Sequence, residues 1–318
     1  DGHRLGQVVE EAARRYRTTL AVPHMDLMIE KTALLELLEV PPEQIPTYHF
    51  SEPLSEEVVQ TVRRKLGEPL QNLRIQAQAG AVAYIAQNTD LVPIGMTIGP
   101  FSLMTKLIAD PIAPIYLAGM GITADEEPEV RLVEQTLELS TMVILHSMQA
   151  QIEAGARATF IAEPAANKVY ISPNQMEQGS DVFDQMVMQY LRRIKDFLDE
   201  RGVDLIFHCC GDLTDQMVQH YASLEPVILS LGSSRVLWED ARLVPKHVVL
   251  YGNLPSKRFY SDELVTREQI EQIACELIER MRAVGHPFIL GSECDVLSVQ
   301  GCEQTIKQKV EAFVNCKC

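Results

Sequence analysis

The chain has 318 residues, 46% of them apolar and 23% charged, with a formal net charge of −16. That acidity excludes recognition of nucleic acid or anionic lipid through their phosphates, and without a run of about 18 apolar residues no membrane span is expected. Seven cysteines, two of them adjacent, fit free thiols or a metal site in a reducing cytoplasm better than a secreted disulfide framework.

The first residues, "DGHRLGQVVEEAARRYR", do not resemble a signal peptide. Over residues 1–70 the pattern is mostly helical. "LGQVVEEAARRY" (5–16), "KTALLELLEV" (31–40) and "SEEVVQTVRRKLG" (55–67) carry apolar residues at helical spacing, and Pro41, Pro42 and Pro46 mark a loop between the second and third. "LVPIGMTIG" (91–99) predicts a strand, "FSLMTKLIAD" (101–110) a helix, and a long helix follows from Pro128 to Gly155. "ATFIAEP" (158–164) predicts a strand ended by Pro164. An amphipathic helix then spans 182–202, with Gly202 as its stop. "VDLIFHC" (203–209), "PVILSLG" (226–232), "HVVLYGN" (247–253) and "PFILGSE" (287–293) are further short apolar runs. Before the last of these, Thr266 and Gln269 form a capping box for a helix that closes at Gly285.

Runs apolar throughout predict parallel strands buried on both faces. Their alternation with helices predicts an α/β fold, a (β/α)8 TIM barrel with a helical N-terminal extension. Six strands are counted and two assumed. The expected organisation is a single domain, 1–318, with 1–70 as the helical segment and 71–318 as the catalytic barrel. No G-x-G-x-x-G follows a first strand, which disfavours a dinucleotide-binding sheet.

"LIFHCCGDL" (205–213) places His208, Cys209 and Cys210 at a strand end. Successive strand residues face opposite ways, so His208 and Cys210 share a face and Cys209 points away. A second strand ends at Cys294. An imidazole and two thiolates suit a borderline-soft ion such as Zn2+, and three protein ligands leave a position open for catalysis. The competing reading is that these are buried thiols packed as small hydrophobes. Glu163, ending its strand before Pro164, has the right position for a fourth ligand. Glu293 and Asp295 are alternatives whose strand parity points them away. Asn253, at the end of "HVVLYGN", is a candidate substrate contact. Cys209, Cys275, Cys302, Cys316 and Cys318 read as bystanders. "DGHRLG" (1–6) matches the D-x-H-x-x-G of corrinoid-binding proteins, but no strand precedes it and no S-x-L or G-G completes it.

"HCCGD" (208–212), the distant thiol in "GSECD" (291–295), "YGNLP" (251–255) and the "AEPAA…ISP" segment (162–173) together resemble the uroporphyrinogen decarboxylase-like superfamily. Within it they resemble the zinc-dependent cobalamin methyltransferases. The resemblance covers roughly residues 90–315. It implies a (β/α)8 barrel, His208, Cys210 and Cys294 as zinc ligands, Glu163 as a weaker fourth, and cobalamin supplied by a separate corrinoid protein. The arginine-rich N-terminal motif of the founding decarboxylase is absent, so decarboxylation is a remote alternative. The expected activity is transfer of a methyl group from an O-methyl substrate, such as a methoxylated aromatic, to cob(I)alamin. The alternative is transfer from methylcobalamin to a thiol, as in the coenzyme M type.

Overall fold

Strand β2 (Val92–Ile98) shows why the short apolar runs become parallel strands. All but its first residue are buried, so neither face can meet water. Ile94, Met96 and Ile98 line one face, and Gly95 and Thr97 the other. The computed structural model describes residues 1–68 and 72–318. The expected boundary at residue 70 therefore lies outside the described residues. By contacts the chain divides inside strand β4 (Asp204–Cys209) into two compact units, Asp1–Leu205 and Ile206–Cys318.

In the first unit β1 (Leu20–Ala21) pairs parallel with β2, and β2 with β3 (Ala158–Ala162). The helices are α1 (Gly2–Tyr16), α2 (Ile29–Leu37), α3 (Glu56–Leu66), α4 (Leu73–Asn88), α5 (Pro100–Leu107), α6 (Ile112–Gly119), α7 (Pro128–Glu153), α8 (Pro173–Glu177) and α9 (Gln189–Asp199). Ser55 caps α3 by accepting from the Val58 N–H, and Asn72 caps α4 by accepting from Arg74 and Ile75. The sequence reading missed α4, α6 and the five-residue α8. The first two have apolar or small residues around most of their circumference, so no 3.6-residue stripe stands out. It also missed β1, two residues long, which makes the N-terminal segment a contributor of a strand as well as helices. The corrinoid-like histidine, His3, lies within α1 with its ring 4.8 Å from Tyr84.

In the second unit β4, β5 (Ile228–Leu231), β6 (Val249–Leu254) and β7 (Phe288–Ser292) pair in that order, each pair parallel. Between and after them lie α10 (Asp215–Ala222), α11 (Leu237–Asp240), α12 (Arg267–Val284) and α13 (Glu303–Val314). α12 opens with the expected capping box and ends at Gly285, whose φ of 62° only glycine adopts without strain. Leu254, Phe259, Val265, Ile270 and Ala274 form a core closed by Ala312 of α13. A disulfide joins Cys275 of α12 to Cys318, correcting the expectation that both are uninvolved thiols. Seven strands are thus present among the described residues, and the fold is α/β with each registered pair of strands parallel. Among these residues no helix is long and apolar enough to cross a membrane.

Glu30, on α2, is 1% exposed and accepts a hydrogen bond of 3.0 Å from Ser147 Oγ on α7. Burial pushes its carboxyl up to about 7. Below the unfolded-state value of 4.5 both states hold the proton and nothing is lost. As pH rises from there to about 7 the unfolded chain releases it first, and stability falls. Removing the ionisable group in Glu30→Gln should flatten that slope and stabilise the protein above pH 7, by up to about 3 kcal/mol. Urea unfolding of both proteins at pH 5 and pH 8 checks this. An unchanged slope would show that Glu30 is not the group responsible.

Candidate metal centre

The site is built on the ends of β4 and β7. β4 is buried on both faces, so His208 and Cys209 point opposite ways, each at most 2% exposed. Parallel register sets His208 beside Ser230 of β5. His208 Nδ1 lies 2.8 Å from Ser230 Oγ, which fixes the ring plane and turns Nε2 away from β5. Cys210 follows directly, where the chain leaves the strand. Its backbone packs so tightly on Gly232 that a Cβ there would stand 2.7 Å from the Cys210 carbonyl oxygen. Cys294 comes two residues after β7.

One ligand atom each from His208, Cys210 and Cys294 all lie within 4.8 Å of one another. The two sulfurs are 3.4 Å apart, although 84 residues separate them in the chain. In a tetrahedral zinc site with Zn–S of about 2.3 Å, two sulfurs sit about 3.7 Å apart. The donors are therefore a few tenths of an ångström from that separation, in the combination of imidazole and thiolate that zinc prefers. The residues fit a zinc ion with one coordination position left for a ligand from solution.

Without a metal the sulfurs compete for a proton. The Cys210 thiol is drawn down to about 6, chiefly by its hydrogen bond with Cys294 and secondarily by the ammonium of Lys257. Cys294 is pushed up to about 12 by the same sulfur and by burial, against a lowering hydrogen bond with His208. The pair thus gives up its first proton readily and its second with difficulty. A divalent cation between the sulfurs removes that penalty by taking both as thiolates.

Side-chain hydrogen bonds hold the surrounding loops. Ser256 Oγ donates to the carbonyl oxygens of Cys294 and Asp295 at 2.9 and 3.2 Å. Glu293, 5% exposed, accepts from the Ser233 N–H at 3.2 Å and from its hydroxyl at 2.6 Å. Asn253 Nδ2 donates to the carbonyls of Gly232 and Arg235, both at 2.8 Å. Its two donor hydrogens therefore brace the loop after β5, leaving only the amide oxygen for a substrate. Arg235 is anchored in turn by Asp215, Asp240 and the Leu213 carbonyl.

Glu163 lies in the first unit, fully buried. It accepts from the backbone N–H groups of Phe101 at 3.1 Å and Ser102 at 2.6 Å, at the start of α5. Burial nevertheless pushes its carboxyl up to about 7. It is outside the group of three. Asp295 and Glu293 also lie outside that group.

The family model for uroporphyrinogen decarboxylase (URO-D) matches residues 6–316. The chain belongs to the URO-D family. Among solved structures it is similar to a methyltransferase from Methanosarcina mazei, with a TM-score of 0.66 and 16% identity over 98% of this chain and 83% of that one. At that identity the likeness shows the fold. No curated protein matches the sequence.

For this URO-D family member, sequence reasoning missed Ser230 and Lys257. Ser230 had a signal, as the one polar residue in an otherwise apolar strand, "ILSL". Lys257 had none, because a lysine after a strand end is ordinary. In metal-free protein, alkylation of Cys210 by iodoacetamide should rise with a midpoint near pH 6, and in Cys294→Ser the midpoint should move up toward the ordinary 9. Mass spectrometry of the modified peptide across pH measures both. Equal midpoints in the two proteins would show that the sulfurs do not interact.

Proposed function

We propose that this chain is a zinc-dependent methyltransferase that moves a methyl group between a small molecule and the cobalamin of a separate corrinoid protein. The convergence of His208, Cys210 and Cys294 in one unit carries the reading. Membership of the URO-D family and a solved methyltransferase of the same fold support it. The preferred direction is from an O-methyl substrate, such as a methoxylated aromatic, to cob(I)alamin. When bound, zinc would supply Lewis-acid stabilisation to the oxygen that loses the methyl group.

The chain's own residues have distinct tasks. His208, Cys210 and Cys294 hold the ion, and the contact of Ser230 Oγ with Nδ1 holds the His208 ring with Nε2 as its ligating atom. Ser256 and Glu293 hold the segment that carries Cys294. With two thiolates and a neutral imidazole the ligated divalent ion is formally neutral, so it retains electrophilic character toward an incoming donor. Cys210 and Cys294 must stay reduced for this, while Cys275 and Cys318 of the same chain are joined in a disulfide.

One observation favours the reverse direction, from methylcobalamin to a thiol. Glu163, whose carboxylate would suit exchange with an oxygen ligand, is engaged at α5. Incubation of methoxyaromatics with the reduced corrinoid protein, and of thiols with its methylated form, separates the two by cobalamin absorbance. No spectral change in either arm would end the methyltransferase reading.

Protein purified without chelators should contain one zinc per chain by elemental analysis, and Cys294→Ser should lose it. Ser230→Ala should bind zinc about ten- to a hundredfold more weakly through loss of the histidine's orienting bond. Wild-type protein lacking stoichiometric metal would sink the proposal.

A further inference from the structure

The Cys275–Cys318 bond closes a loop of chain that contains Cys294. Its two cysteines are 43 positions apart. Between them lie the second half of α12, β7, Cys294 and α13. Opening the bond therefore removes a covalent limit on the stretch that presents Cys294.

Packing carries this constraint from the bond to the ligand segment. The core cluster of the second unit joins Ile270 and Ala274 of α12 to Ala312 of α13, and Leu290, Val296, Phe313 and Cys316 pack against it. Cys316 is two residues from the bond, and Val296 is two residues from Cys294. Two other ties act nearby. Lys309 of α13 pairs with Asp262 at 2.8 Å, which holds the helix to the stretch after β6. Ser256 holds the start of the ligand segment through the carbonyls of Cys294 and Asp295. From Val296 onward the segment leans on the cluster that the bond closes.

The bond is also within reach of a partner. Cys318 is exposed and Cys275 half-buried, and an exposed disulfide is open to exchange with an external thiolate. The other five cysteines remain thiols. Burial pushes the Cys316 thiol up, which makes it a poor internal competitor for the bond.

We propose that this disulfide is a redox latch, opened in the folded protein by a dithiol reductant, and that its opening loosens the segment after Cys294. One thiolate of the reductant attacks Cys318 Sγ, the S–S bond breaks, and Cys275 leaves as a thiolate that takes a proton. The reductant's second thiolate then attacks its own first sulfur in the mixed disulfide and releases Cys318, which is protonated in turn. Two electrons pass to the protein, and the dithiol ends as a disulfide. The latch stands apart from the zinc reading; only its consequence for Cys294 as a ligand rests on that reading.

The test uses metal-free protein, in which Cys210 and Cys294 are first verified as thiols, with and without dithiothreitol and without denaturant. Alkylation followed by peptide mapping identifies the cysteines that the dithiol releases, and hydrogen–deuterium exchange follows the backbone. Dithiothreitol should release Cys275 and Cys318. Amides in 296–301 should then exchange about three- to tenfold faster, with those of β4 and β5 unchanged. Cys318→Ser should show the faster exchange without reductant and no further change with it.

A bond that resists dithiothreitol in the native protein, or equal exchange in 296–301 before and after its reduction, would overturn the assignment. Faster exchange across β4 and β5 as well would also overturn it, by showing that the bond is a staple for the whole unit. So would Cys275 and Cys318 already open to alkylation in untreated protein. None of these outcomes bears on whether the three ligands bind zinc, so the two readings fail separately.

Discussion

Two sulfurs from residues 84 positions apart are held 3.4 Å from each other, and the organisation of the second unit follows from that closeness. Neither cysteine is on a flexible tether. Each emerges just past the end of a strand whose neighbours fix its height and direction. The adjacent loops are tied down by Ser256, Glu293 and Asn253. Two thiols so close cannot both ionise, which is why one is drawn down and the other pushed up. In the metal-free chain one shared proton settles that conflict, and a divalent cation between them would take both as thiolates.

The imidazole is set by different means. Parallel register, not a loop, places Ser230 beside His208, so the orienting bond belongs to the sheet itself. A histidine oriented by the side chain of its cross-strand neighbour is preorganised, and a metal need not supply the energy of turning it. Cys209, one residue on, takes the opposite face and disappears into the core, though its chemistry is the same as that of Cys210. Strand alternation alone separates a candidate ligand from a buried core thiol here.

The first unit handles its buried polar groups in another way. Glu163 spends both oxygens on the N–H groups that open α5, and Glu30 takes a hydroxyl from α7. Such bonds only partly offset the desolvation of a carboxylate, so both groups hold their protons to near neutrality. In the sequence Glu163 reads as a ligand by its position at a strand end. In the structure that same position brings it to a helix N-terminus, where backbone donors are plentiful.

By itself the sequence determined six of the strands, the long helices α1, α7 and α12 with the capping box of the last, and the trio of His208, Cys210 and Cys294, because alternation, helical periodicity and capping act over a few neighbouring residues. The strand β1 and the helices α4, α6, α8, α11 and α13 escaped it: elements of two to five residues carry no period, α4 and α6 carry no stripe, and only α13, with Ile306, Val310 and Phe313 at helical spacing, had a signal. Only the tertiary structure decided which side chains stand beside that trio. Ser230 came there through inter-strand register and Lys257 through the turn after β6, while Asn253 was committed to the carbonyls of Gly232 and Arg235 and Glu163 to the N–H groups of Phe101 and Ser102. Partnership across strands depends on register and loop path, which are set by the packing of the whole unit and leave no mark on any short stretch of chain.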